Sequence, residues 1–256
     1  MEDVDGIIKQ IKEIFNSPDA APIYERIGAI RAYSQNIKVV NVLRDYFEGL
    51  YRLLIEVDIH NKNRERASEL YGVICTILIN IVSYEDIDFA EEIRGDIAGP
   101  VLTNMRSRER EIDTIWFVAN ILYRKNKFSA YFMENLVKNK IAEYLKNRVN
   151  LLFQSASENT IFYYFVGSVI ANLNVVKVFK DFKVLLESVV YLSELEIDEC
   201  YLYILDGLTY YAGSFREHQY EIFVTSIFKK CESCCKNKKS RFVSKYLTIV
   251  SNFLKG

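Results

Sequence analysis

The stretch DTIWFVANIL, residues 113–122, sets polar residues into an apolar run at helical spacing. Four residues is about one turn, so Trp116 and Asn120 share a face. Followed backwards, the same stripe takes in Asp113 and Glu109. The pair has echoes at equal spacing: Ala32 and Asn36, Thr76 and Asn80, Tyr164 and Ser168, Tyr203 and Gly207, Thr248 and Asn252. Their second members step along the chain by 44, 40, 48, 39 and 45 residues. Between anchors the pattern is also shared. IKVVNVLRDYFEGLYRLLIEV follows Asn36, NKFSAYFMENLVKNKIAEYLKN follows Asn120 and REHQYEIFVTSIFKKCES follows Gly207. Each unit predicts two short amphipathic helices, then a longer one carrying the anchor. Units of this size cannot bury their apolar faces alone and must stack on one another.

Composition sharpens this picture. Among 256 residues there are only 10 Gly and 3 Pro. That scarcity of turn formers argues against an all-β fold and against a glycine-dependent nucleotide loop. A formal net charge of −1 gives no global field for nucleic acid. The start, MEDVDGIIKQ, is acidic and lacks a signal-peptide pattern. No apolar stretch reaches the ~18 residues needed to span a bilayer. The 5 Cys are an odd number in a chain with ample core residues, which predicts free thiols in a reducing compartment. The expectation is a soluble protein of the cytoplasm and nucleus, one domain over residues 1–256.

IDTIWFVANILYRKNKFSAYFMENLVKNKIAEYL resembles an armadillo repeat of the importin-α type, and IIKQIKEIFNSPDAAPIYERIGAIRAYSQN resembles that family's first repeat. The resemblance implies an all-α, right-handed superhelical solenoid, with room here for about six repeats at the family period. It implies that third helices line a concave groove, where a Trp and an Asn one turn apart hold an extended basic peptide of nuclear-localisation type. It also implies a reduced relative. The start is acidic where the family carries a basic importin-β-binding segment, and the chain has 1 Trp where the family has several.

The expected peptide-binding residues follow the repeats. They are Glu109, Asp113, Trp116 and Asn120; Glu69, Thr76 and Asn80 one repeat earlier; Tyr164 and Ser168, and Glu199 and Tyr203 beside Glu196, in later ones. Carboxylates would pair with Lys or Arg heads, and rings would take their aliphatic stems and offer a cation–π face. Asn amides would pair with peptide backbone. The bland alternative is that the acids are solvated helix starts, where negative charge is favoured anyway, and that Trp116 fills a core.

Other candidates carry less. The basic stretch 229–245, with Cys231, Cys234 and Cys235 and with His218 upstream, reads first as a solvated loop; half of any two-pair zinc motif is missing. His60 and His218 sit in no catalytic motif, and no nucleophile arrangement is visible. The sequence therefore predicts neither an enzyme nor a cofactor. The last helix, RFVSKYLTIVSNFLKG, places Phe242, Val243, Tyr246, Leu247, Ile249, Val250, Phe253 and Leu254 around much of its circumference. A partner or a second copy is expected to cover that end. Two rival readings are a nucleotide-exchange co-chaperone of seventy-kilodalton chaperones and a structural scaffold subunit of a larger assembly.

Overall fold

The computed structural model describes residues 4–16, 21–84, 98–124, 126–148, 151 and 153–176. Every regular element among them is a helix, so the fold is all-α. The chain divides into two compact units, Met1–Arg124 and Lys125–Gly256. Residues 196–207, the basic stretch with its cysteines, His218 and the last helix lie outside the described residues.

The first unit holds α1 (Val4–Phe15), α2 (Ala21–Tyr33), α3 (Ile37–Arg44), α4 (Phe47–His60), α5 (Arg64–Tyr84), α6 (Ala98–Met105) and α7 (Glu111–Tyr123). In α1, Ile7, Ile11 and Ile14 recur at the helical period, and all three are buried. Helix α3 starts at Asn36, whose side chain accepts from Lys38 N at 3.0 Å. An Asn in this role satisfies one of the unpaired donors of a helix start. It also corrects the repeat pattern. Asn36 follows α2 rather than sitting on it, so Ala32 and Asn36 are not one helical pair.

Helix α5 organises the unit. It packs against α2, α3, α4 and α7, and ten of its residues from Ala67 to Val82 are buried. It is 21 residues long and contains an 18-residue window of mean hydropathy 1.4, so by length and composition it could cross a membrane. This departs from the sequence expectation that no apolar stretch is long enough to span a bilayer. The apolar character has a local use: helices press on α5 from several directions, and a helix apolar nearly all round is what such a core requires. Cys75, in its middle, is a free buried thiol.

The second unit holds α8 (Lys127–Lys138), α9 (Ile141–Arg148) and α10 (Ala156–Val176). Asn126 caps α8, accepting from Ser129 N at 2.8 Å. Lys140, with φ of 65°, makes the sharp turn into α9 without a glycine. Before α10, Ser155 N donates to the Glu158 carboxylate at 3.3 Å, and Glu158 N donates to Ser155 Oγ at 3.2 Å. This reciprocal capping box marks the helix start. Thus α3–α4–α5 and α8–α9–α10 each run two shorter helices into one of 21 residues, the order expected from the pattern.

Candidate functional site

Helix α7 carries the best of the expected residues on one stripe. Ile115, Phe117, Val118, Ala119, Ile121 and Leu122 are buried. Between them Trp116 is 39% exposed and Tyr123 50% exposed, with Asp113 and Asn120 half-buried. The spacing 113, 116, 120, 123 keeps these four side chains within one face. The opening ambiguity about Trp116 is thereby resolved in one respect: its ring reaches solvent and does not fill the core, while its neighbour Phe117 does.

Asp113 has an unusual setting. A Cβ placed on Gly72 of α5 would lie 2.8 Å from its Oδ2, so the carboxylate rests where only a glycine leaves room. Among the described residues it has no hydrogen-bond or ion-pair partner. Burial pushes its pKa above the ordinary carboxylate value, and the positive charge of Arg31, on α2, offsets only part of that rise. A half-buried carboxylate without a partner is costly to keep charged. A cation brought beside it would restore what desolvation removed.

The other expected residues fare differently. Glu109 is taken: Arg64 Nε donates to its Oε2 at 3.1 Å, and Ser68 Oγ lies 3.5 Å away. Glu69 is exposed on α5. Thr76 turns its hydroxyl to its own helix, donating to Gly72 O at 2.9 Å. Asn80 Nδ2 donates to Ser34 Oγ at 2.8 Å. Asn120 Nδ2 donates to Trp116 O at 2.8 Å, and its Oδ1 accepts from Ser83 Oγ at 3.3 Å. The expectation that these amides would await a peptide backbone is therefore corrected. They hold helices together instead. Asn61, Asn104, Asn135, Asn139 and Asn172 make the same bond to the carbonyl four residues earlier, so the Trp116–Asn120 link is a habit of this chain's helices.

In the second unit, Tyr164 is half-buried on α10. Ser168 is buried, with no hydrogen-bond partner for its hydroxyl among the described residues. It cannot meet a ligand from solvent in this conformation. The better echo of Asn120 is Asn172, which donates to Ser168 O at 2.8 Å. Glu199 and Tyr203 lie outside the described residues.

Sequence reasoning passed over Arg110, just before α7. Its side chain is 7% exposed, and its guanidinium forks onto both oxygens of Asp58, on α4. It also donates to Asn104 Oδ1 at 3.0 Å and Ser68 Oγ at 3.4 Å, and it lies 5.0 Å from the Tyr71 ring centre. Tyr71 and Thr114 share a hydrogen bond of 2.9 Å beneath it. This bidentate, charge-assisted node ties α4, α5 and the α6–α7 turn together. The Arg110 hydrogen bond holds the Asp58 pKa below the ordinary value. In sequence, Arg110 is one charge among several in SRERE, and nothing marked it. Gly72 did leave a signal: a lone glycine inside an apolar helix implies close approach of another group.

Nearby, His60 faces Glu56 at 3.6 Å and the Tyr24 ring at 5.6 Å. Burial, with Glu56 and Asp58 adding, pushes the Tyr24 hydroxyl pKa up to about 12, and that hydroxyl donates to Leu53 O at 2.9 Å. These contacts give each group a structural use. Compared with known proteins, the chain matches no protein-family model and no curated protein.

Proposed function

We propose that this protein is a binding adaptor, without catalysis or cofactor, that holds an extended cationic peptide against the exposed face of α7. One observation carries the reading: Asp113, half-buried and unpartnered, lies one turn from the exposed Trp116 ring. A Lys or Arg head would pair with the carboxylate while its stem lay on the indole. The helix order in α3–α4–α5 and α8–α9–α10, and the packing of α5 on both α2 and α7, support stacked three-helix repeats of armadillo type. In this reading the repeats form a right-handed solenoid, and the chain is a divergent relative of importin-α acting between cytoplasm and nucleus.

One cation on Asp113 and Trp116 is worth little. An exposed ion pair contributes ~0.2–1 kcal/mol, and an exposed cation–π contact ~0.5–1 kcal/mol. Micromolar affinity needs about 8 kcal/mol, so most of it would come from further contacts along the peptide. The test is titration of the intrinsic tryptophan emission, which reports this site alone because the chain has 1 Trp. A Lys/Arg-bearing peptide is expected to shift the emission saturably, more weakly as salt rises. Calorimetry on Trp116→Ala should then show reduced affinity in a folded chain. An unchanged emission together with unchanged calorimetric heat would end the reading.

A further inference from the structure

The ligand of this face can be narrowed, on the reading just proposed. Nuclear-localisation peptides offer a run of cations, which needs a row of available acids. Here the row is broken. Glu109 is already held by Arg64 at 3.1 Å, and Glu69 is exposed and solvated on α5, where an ion pair counts for little. Of these three acids, only Asp113 is both unpartnered and sheltered. Positive charge also stands at both ends of the stripe. Arg31 acts on Asp113 from α2. Arg124, just past α7, donates from Nε to Val82 O on α5. Between these ends the surface is aromatic, with Trp116 and Tyr123 exposed on α7.

We propose that the α7 stripe binds a peptide segment with a single cationic residue and, a few positions away, an apolar one, rather than a basic run. The cation sits at Asp113 and Trp116, and the apolar side chain lies on Tyr123. Trp116 and Tyr123 are seven residues apart on the helix, about 10 Å at ~1.5 Å per residue. An extended chain covers that distance in about three residues at ~3.3–3.6 Å each. Among the described residues, a second or third cation beside the first would meet Arg31 or Arg124, and the α7 stripe offers it no further unpaired acid.

Three capped peptides of equal length test this against the full chain. One carries a single Lys and a Leu three residues away in an Ala/Ser background, one carries five consecutive Lys, and one repeats the first with Lys replaced by Gln. Trp116 emission and calorimetry are read at low and high salt. The single-Lys peptide is expected to bind at least as tightly as the Lys run. The change to Gln should cost up to about fivefold, the scale of one ion pair. Its affinity should change only a few-fold as the screening length shortens from ~10 Å to ~3 Å. Asp113→Asn should remove the preference for Lys over Gln. Binding of the Lys run tenfold or more tighter, with steep salt dependence, would overturn the single-cation inference while leaving the basic-peptide reading standing. Silence from all three peptides in both measurements would overturn both.

Discussion

Two carboxylates flank the start of α7 and have opposite fates. Asp58 is the more open of the two, its side chain 63% exposed, yet Arg110 grips both its oxygens. Asp113 is more sheltered and has no such partner. Their pKa values move accordingly: Asp58 falls because a guanidinium hydrogen-bonds its charged form, and Asp113 rises because burial disfavours that form. A protein that needed only stability could have paired both. The contrast separates a charge paired within the fold from one on which burial acts most strongly.

The largest effect that sharpens this contrast comes from the rings beside the acids. Phe117, fully buried, should cost ~3–5 kcal/mol when truncated to Ala. Trp116→Ala, one residue earlier, should cost clearly less than that, because Trp116 is 39% exposed and loses correspondingly less buried surface. Denaturant midpoints at constant slope measure both. Equal losses would place Trp116 in the core and remove the site.

Arg110→Ala comes next. It removes charge-assisted hydrogen bonds worth about 1.5–3 kcal/mol, and because the exposed Asp58 can rehydrate the loss should lie at the lower end of that range. The pH dependence identifies the partner. A carboxylate with a lowered pKa contributes stability that is present above its ordinary value and is lost as pH falls through the lowered one. Arg110→Ala should erase that part of the acid limb. An unchanged acid limb would mean that Arg110 does not hold Asp58 in solution.

Gly72→Ala tests the other carboxylate with a smaller change. Alanine inside a helix is favoured over glycine by about 1 kcal/mol. The new methyl would displace Asp113, whose carboxylate end can swing away. Thermal melts should therefore show stability unchanged or raised by up to about 1 kcal/mol, while peptide titration shows weaker binding. A clear loss of stability would mean that Asp113 is fixed in place and matters to the fold.

How far the sequence could be read depended on whether a feature was local. Helices α3 to α5 and α8 to α10 follow from apolar spacing and the lack of breakers, and the exposed stripe of α7 follows from three-and-four periodicity. Asn36 was misplaced because its distance from Asn80 matched the repeat step, although an Asn before IKVVNVL is equally a helix cap. Ser168 follows Tyr164 by one turn and so fits the repeat spacing, whereas Asn172, which makes the bond that Asn120 makes, stands a turn further on. Pairing was not legible at all. Arg64 reaches Glu109 across 45 residues and Arg110 reaches Asp58 across 52. Which acid is taken and which is free depends on such tertiary contacts, so Glu109 and Asp113 look alike in sequence and differ in the fold.

The most direct test of the account is Asp113→Asn, read for stability and binding on the same samples. A raised carboxylate pKa favours the protonated fold. Its stabilising effect is present below the ordinary value and is lost as pH rises through the raised one. At neutral pH the charged Asp113 is therefore a burden on the fold. The isosteric amide should leave the chain as stable as the parent or more so, with the difference fading as the pH is lowered into the ordinary carboxylate range. It should also abolish the preference for a Lys-bearing peptide over its Gln counterpart. If Asp113→Asn instead lowers the neutral-pH melting temperature and leaves the Lys preference intact, Asp113 is a structural residue and α7 presents no cation site.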